Sequence, residues 1–215
     1  MKKIIKISLI LLLVGMAVIA AVPFLKEKRA ERKYENEFKK IQESVTEKKS
    51  DVNGLVKKNK DCIGYVEIPG TTISYPVMQT KDNPDFYLNH DFNRNYSFYG
   101  TPYLSAYCDV EKSDNLIIYG HNINGGKMFG ALEQYKDKEF FYKHRKIYFT
   151  TDKKREYEVF AVMCVNIHKF EYWKFVMAKD EKEYDEFVDK VEEHSSWRQE
   201  NKQVWGANAD VVYLR

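Results

Sequence analysis

The chain has 215 residues, 44% of them hydrophobic and 15% aromatic, with a formal net charge of +3. Sixteen Tyr and thirteen Phe against ten Gly and five Pro exclude a disordered, collagen-like or low-complexity chain, and the length suits one globular domain with appendages. Three cysteines are an odd count that does not suit a disulfide-framed secreted module, and +3 is too small a charge to imply nucleic acid as a partner.

The charge is unevenly spread. Residues 26–60 carry a local balance of +5 and residues 61–215 one of −5, so a basic segment precedes a mildly acidic body. Before it, residues 7–25 contain no charged side chain. Nineteen helical residues rise about 28 Å, enough to cross a hydrocarbon core of roughly 30 Å. Lys2, Lys3 and Lys6 precede the run and Lys26, Lys28 and Arg29 follow it. A cleaved signal peptide has a shorter apolar core and a small-x-small cleavage site. Ala17, Ala20 and Ala21 provide small residues without a clean Ala-x-Ala, so the expectation is an uncleaved single-pass anchor over 1–25. Flanking basic residues at both ends leave its orientation open.

Residues 26–60 read as a basic helical stalk. Tyr34, Phe38, Ile41 and Val45 recur at i, i+4, i+7 and i+11 as an apolar stripe on a charged helix. Ser50, Asp51, Asn53 and Gly54 break it. A solvated helix explains this segment, and attraction to anionic headgroups or wall polymer is the alternative. From residue 61 the pattern changes to short β-branched and aromatic runs, residues 65–68 and 72–77, punctuated by Pro69-Gly70. Further strands are predicted at 100–105, 115–119, 146–150 and 157–165, and a late helix with Tyr184, Phe187, Val188 and Val191 on its buried side. This pattern alone leaves barrel and sandwich equally open.

The densest chemical signal is Asn115-Leu116-Ile117-Ile118-Tyr119-Gly120-His121-Asn122. A buried aliphatic strand ends at a glycine and a histidine follows, held by a rigid element yet open to solvent, as a general acid or base requires. His90, His144, His168 and His194 lie in charged or loop contexts and read as structural. No two His or Cys show ligand spacing, so no metal site is expected.

Together with residues 63–79 (Ile-Gly-Tyr-Val-Glu-Ile-Pro-Gly-Thr-Thr-Ile-Ser-Tyr-Pro-Val-Met-Gln), Tyr99-Gly100-Thr101-Pro102-Tyr103 and residues 115–129, this segment resembles the class B sortases. So does the order of anchor, basic stalk, barrel and late helix. The resemblance implies a mostly-β sortase-like barrel over 61–215 with N-terminal helices and one inserted helix. It implies a cysteine transpeptidase on the outer face of a Gram-positive membrane, needing no cofactor. Such an enzyme cleaves a sorting signal of the Asn-Pro-x-Thr type after Thr and passes the acyl group to an amine of the cell wall. Its partners are sorting-signal-bearing surface proteins, a peptidoglycan amine acceptor and, through the anchor, the membrane. A thiolate forms a thioester, a histidine matching His121 protonates the leaving amine, and an arginine stabilises the oxyanion.

In the family the nucleophile ends a strand reading Leu-x-Thr-Cys, with the arginine a few residues later. Neither motif occurs here. Cys62, Cys108 and Cys164 do not follow Thr and read as incidental thiols, so the expectation is a chain that is catalytically incomplete as written. Two other classes remain in view, a non-catalytic membrane-anchored module that binds sorting peptides and, further off, a metal-dependent hydrolase using His121. Residues 195–215 are atypical of the preceding chain, and the final strand or strands of the barrel are expected to be missing. The ending Val211-Val212-Tyr213-Leu214-Arg215 can be back-translated, among its degenerate codons, as GTT-GTC-TAC-CTG-CG, which one base later encodes Leu-Ser-Thr-Cys. Extended back to Gln203, the same shift permits Arg-Tyr-Gly-Glu-Gln-Met-Leu-Met-Leu-Ser-Thr-Cys. A frameshift near residues 195–200 is the expectation. Sequencing the parent DNA tests it, with a cysteine codon expected at that point of the +1 frame; a different codon there refutes the frameshift.

Overall fold

The computed structural model describes residues 2–47, 52–195 and 211–214. It divides into two units, the first ending at Ile41 and the second beginning at Gln42. Helix α1 (Lys2–Glu47) supplies the first and continues through Pro23. Its N-terminal part is long and apolar enough to cross a membrane, a property that signal sequences share. Tyr34 and Phe38, four residues apart on the predicted stripe, bring their ring centroids within 4.5 Å, as successive turns of one helix face require.

Of the predicted helix breakers, Ser50 and Asp51 lie outside the described residues, while Asn53 and Gly54 do not break a helix. After α1 a second helix, α2 (Val52–Lys58), forms across Asn53 and Gly54 and buries Val52 and Leu55. Burying two aliphatic side chains outweighs the roughly 1 kcal/mol that a glycine costs inside a helix.

The rest of the second unit is built on one sheet of seven strands. In chain order these are β1 (Cys62–Glu67), β2 (Ser74–Met78), β3 (Tyr103–Leu104), β4 (Leu116–Tyr119), β7 (Lys146–Thr150), β8 (Lys154–Glu158) and β9 (Val211–Leu214), and across the sheet they run β8-β7-β1-β2-β3-β4-β9. Only β2 and β3 are parallel among these neighbours. A small hairpin, β5 (Asn122–Ile123) and β6 (Lys127–Met128), stands apart. The predicted barrel is therefore an open, curled half-barrel. Its core is aliphatic and aromatic: Val66, Ile73, Val77, Met78, Leu104, Ile117, Ile118 and Phe149 are fully enclosed.

The predicted strands at 65–68, 72–77, 115–119 and 146–150 fall on β1, β2, β4 and β7 to within a few residues. The last predicted strand, 157–165, does not. β8 covers Lys154–Glu158, where exposed and half-buried residues alternate, and the apolar residues that follow leave the sheet. Ala161, Met163 and Val165 pack instead against Phe170, Tyr172 and Val191, under helix α4 (Glu181–Glu193). Asp180 caps that helix by accepting the Glu183 N–H at 2.8 Å, an arrangement that satisfies one of the orphan donors of a helix N-terminus. The tail expected to lack a closing strand does contribute one: β9 occupies the outer edge of β4, with Tyr119 opposite Val211 and Leu116 opposite Leu214.

Ile117 lies at the centre of β4 with no exposed surface. Ile117→Ala should lower unfolding stability by about 2–5 kcal/mol, read as a reduced denaturant midpoint in the full chain held in detergent; an unchanged midpoint would mean that β4 is not part of the cooperative core.

Candidate functional site

Strand β4 is pinned at its start. Asn115 donates its side-chain amide to Phe175 O at 2.8 Å, and its backbone N–H reaches Val176 O at 3.1 Å. At its end Tyr119 stacks obliquely on Tyr103 of the neighbouring strand, with centroids 5.3 Å apart. Next comes Gly120. A methyl group at this position would lie 2.6 Å from the ring of Phe129, a fully buried side chain. The missing Cβ is what lets that ring close under the strand end.

His121 follows on the rim, half-buried. Its backbone carbonyl accepts the Phe129 N–H at 2.9 Å, and its ring Nε2 lies 2.9 Å from the carbonyl oxygen of Leu88. A carbonyl carries no proton, so in this contact Nε2–H is the donor. Nδ1 then holds the lone pair, with no hydrogen-bond partner among the described residues. The return of the chain from His121 to Phe129 runs through the β5–β6 hairpin and depends on Met128. This residue adopts φ 50°, in the region that favours glycine, at a cost on the order of 1–3 kcal/mol. Its N–H donates to the Tyr75 hydroxyl at 3.1 Å, and burial pushes that phenol's pKa upward.

Leu88 ends a short 3-10 turn, Phe86–Leu88, in the long connection between β2 and β3. The site seen from sequence was His121 alone; this carbonyl was not foreseen, because a backbone acceptor has no side-chain signature. The one trace is Gly100. At φ +60° it presses so close that a Cβ would stand 2.4 Å from Leu88 O and 2.6 Å from Tyr87 O.

The other imidazoles are engaged elsewhere. His90 stacks on Phe86 at 3.8 Å and places Nδ1 2.6 Å from its carbonyl. His144 is buried with Nδ1 2.8 Å from Pro69 O. His194 places Nδ1 2.8 Å from Lys190 O, and His168 is exposed. Among the described residues no three His, Cys, Asp or Glu converge as a metal site.

Cys62 and Cys108 do not approach His121. Cys62 pairs across the sheet with Met78, Met78 with Tyr103, and Tyr103 with Tyr119, three strand spacings of about 4.8 Å each. Cys108 hydrogen-bonds Asn115 O and receives the Ile117 N–H, at the opposite end of β4, about 13 Å of extended chain from His121. Burial raises both thiols, Cys62 to about 12. Cys164 is half-buried beyond β8. The direction of β9 also matters. It starts beside Tyr119 and ends beside Leu116, so its C-terminal end points away from His121.

A thiol reacts as the thiolate. At pH 8 a thiol-specific alkylating reagent should therefore modify Cys164 in the native chain while Cys62 and Cys108 react only after unfolding. Mass mapping of the labelled peptides checks this, and rapid native labelling of Cys62 or Cys108 would contradict the burial described.

The geometry has counterparts of known type. The sortase domain family matches residues 66–193. Sortase B of Staphylococcus aureus is 28% identical over 198 residues, spanning 89% of this chain and 80% of that protein. In structure, a Staphylococcus aureus sortase B–substrate complex superposes with a TM-score of 0.70 at 27% identity, covering 86% of this chain and 85% of that one. Sortase B from Bacillus anthracis gives a TM-score of 0.61 at 31% identity over 71% of this chain and 70% of that one.

Proposed function

Since the chain belongs to the sortase family of cysteine transpeptidases, and within it to class B, we propose that it is built to recognise an Asn-Pro-x-Thr-type sorting signal on surface proteins destined for a cell-wall amine. In this reading His121 first takes up at Nδ1 the proton released by the attacking thiol and then, as the imidazolium, gives it to the leaving amine. The observation that carries it is the position of that ring, held at the rim of the half-barrel through Nε2 and the backbone while Nδ1 stays open. A general acid must be fixed in direction yet reachable by substrate.

The full reaction needs a thiolate that attacks the threonine carbonyl and an arginine that donates to the oxyanion. Neither family motif is in this sequence. Cys62 and Cys108 lie far from His121 across and along the strands, and both are buried and protonated near neutral pH. The chain as written is therefore catalytically incomplete. The same observation favours a second reading, a non-catalytic module that holds sorting peptides without cutting them.

The apolar start of α1 supports a single-pass membrane anchor, and membership of the sortase family supports a body on the outer face. Tethering would raise the effective concentration of membrane-held substrates at the site without any added contact.

Incubation of the full chain with an Asn-Pro-x-Thr peptide and an amine acceptor should give no cleavage above the His121→Ala level. Turnover that disappears in His121→Ala would show that one of the three cysteines serves as nucleophile after all. Saturable peptide binding without cleavage, encoded by a gene free of any frameshift, would select the binding-module reading.

A further inference from the structure

The Leu88 carbonyl that meets His121 belongs to a segment held from both sides. On one side, Tyr87 is 1% exposed and its hydroxyl is fully engaged, donating to Asp61 Oδ2 at 2.7 Å and accepting from Asn59 Nδ2 at 2.8 Å. Asn59 also donates to Phe92 O at 2.6 Å, and Arg94 pairs with the same Asp61 oxygen. Asn59 and Asp61 sit between α2 and β1, where Asn59 N–H bonds Leu55 O and Gln79 N–H bonds Asp61 O at 2.8 Å. The clamp is thereby tied to the rigid sheet. On the other side, Thr101 N–H donates to Tyr87 O at 2.9 Å, and Gly100 leaves no room between its Cα and Leu88 O.

We propose that Tyr87, Asp61, Asn59 and Gly100 are positioning residues for His121: they hold the Leu88 carbonyl where it fixes the imidazole as the Nε2–H tautomer, which makes Nδ1 the nitrogen that exchanges a proton with substrate. The physical basis is the asymmetry of the imidazole. One nitrogen of the neutral ring donates and the other accepts, and the hydrogen bond made by one decides the state of the other. A loop carbonyl free to drift would let both tautomers form. A carbonyl held by a part-buried polar cluster around the buried Tyr87 resists drift, because breaking the hydroxyl's bonds would leave a desolvated group unpaired.

The inference rests on the proposed acid–base role of His121, but its test reads the ring directly and needs no turnover. The full chain, labelled with 15N-histidine and held in detergent micelles at a pH where the ring is neutral, is studied by long-range proton–nitrogen correlation. The resonance missing from His121→Gln identifies the ring. In the native chain Nε2 should show a pyrrole-type shift and Nδ1 a pyridine-type shift. In Tyr87→Phe and in Gly100→Ala the ratio of Nε2–H to Nδ1–H should fall roughly five-fold, the size one net hydrogen bond supplies, while the other four imidazoles keep their signals. Leu88→Ala, which alters the side chain and keeps the carbonyl, should retain the native ratio. If Tyr87→Phe does not fold, Asp61→Asn, which preserves volume, carries the same expectation. A native ring that is mainly Nδ1–H overturns the proposal. So does a native ratio that survives in folded Gly100→Ala together with folded Tyr87→Phe or Asp61→Asn.

Discussion

The end of β4 is governed by a single steric requirement. Gly120 must lack a side chain, because the ring of Phe129 occupies the space a Cβ would need. Everything near the rim follows from that closure. With the Phe129 ring beneath the strand, its N–H reaches the His121 carbonyl, and the intervening residues must turn back within the β5–β6 hairpin. That short return is what forces Met128 into a left-handed conformation. The stability stored in a fully buried aromatic ring, about 3–5 kcal/mol on truncation, exceeds the cost of one such residue. The strain is thus sustained by packing, and the imidazole inherits a fixed base from it.

The site is composite in a way that sequence patterning captures only in part. β1, β2, β4 and β7 were legible because each is rich in apolar, aromatic or β-branched residues, most of which are buried in the sheet. The segment after β8 misled for the same reason: residues 159–165 look like a strand, but their apolar side chains serve α4 and the Phe170–Tyr172 cluster. Apolar composition reports that a segment is covered, not what covers it. The 3-10 turn Phe129–Lys136 and helix α3 (Lys138–Lys143) were not foreseen either, being too short to display a clear period.

His121 stood out from its strand–glycine context and from the family resemblance. Its partner, Leu88, did not. The side chain at 88 says nothing about the carbonyl that matters, and a separation of 33 positions along the chain hides the contact from any local pattern. The polar residues Asn59, Asp61 and Tyr87 are likewise scattered in the chain, and only the folded β2–β3 connection gathers them around one hydroxyl. The cysteines present the converse case. Their lack of the family's Thr-Cys context was plain from the sequence, and the strand register adds that Cys62 and Cys108 sit away from the His121 rim.

At the far side of the sheet, β8 leaves one row of backbone donors and acceptors without a strand neighbour in the sheet order. Its side chains are Lys154, Arg155, Glu156, Tyr157 and Glu158, and the ion pairs Lys146–Glu156, Arg145–Glu158 and Arg155–Glu111 spread across it. A second copy brought alongside would have to strip water from those ammonium, guanidinium and carboxylate groups before any main-chain ladder could form. Crowding of many copies on one surface would therefore not favour edge-to-edge fibrils through this strand, and the fold can be held at high local density without seeding cross-β growth from this margin.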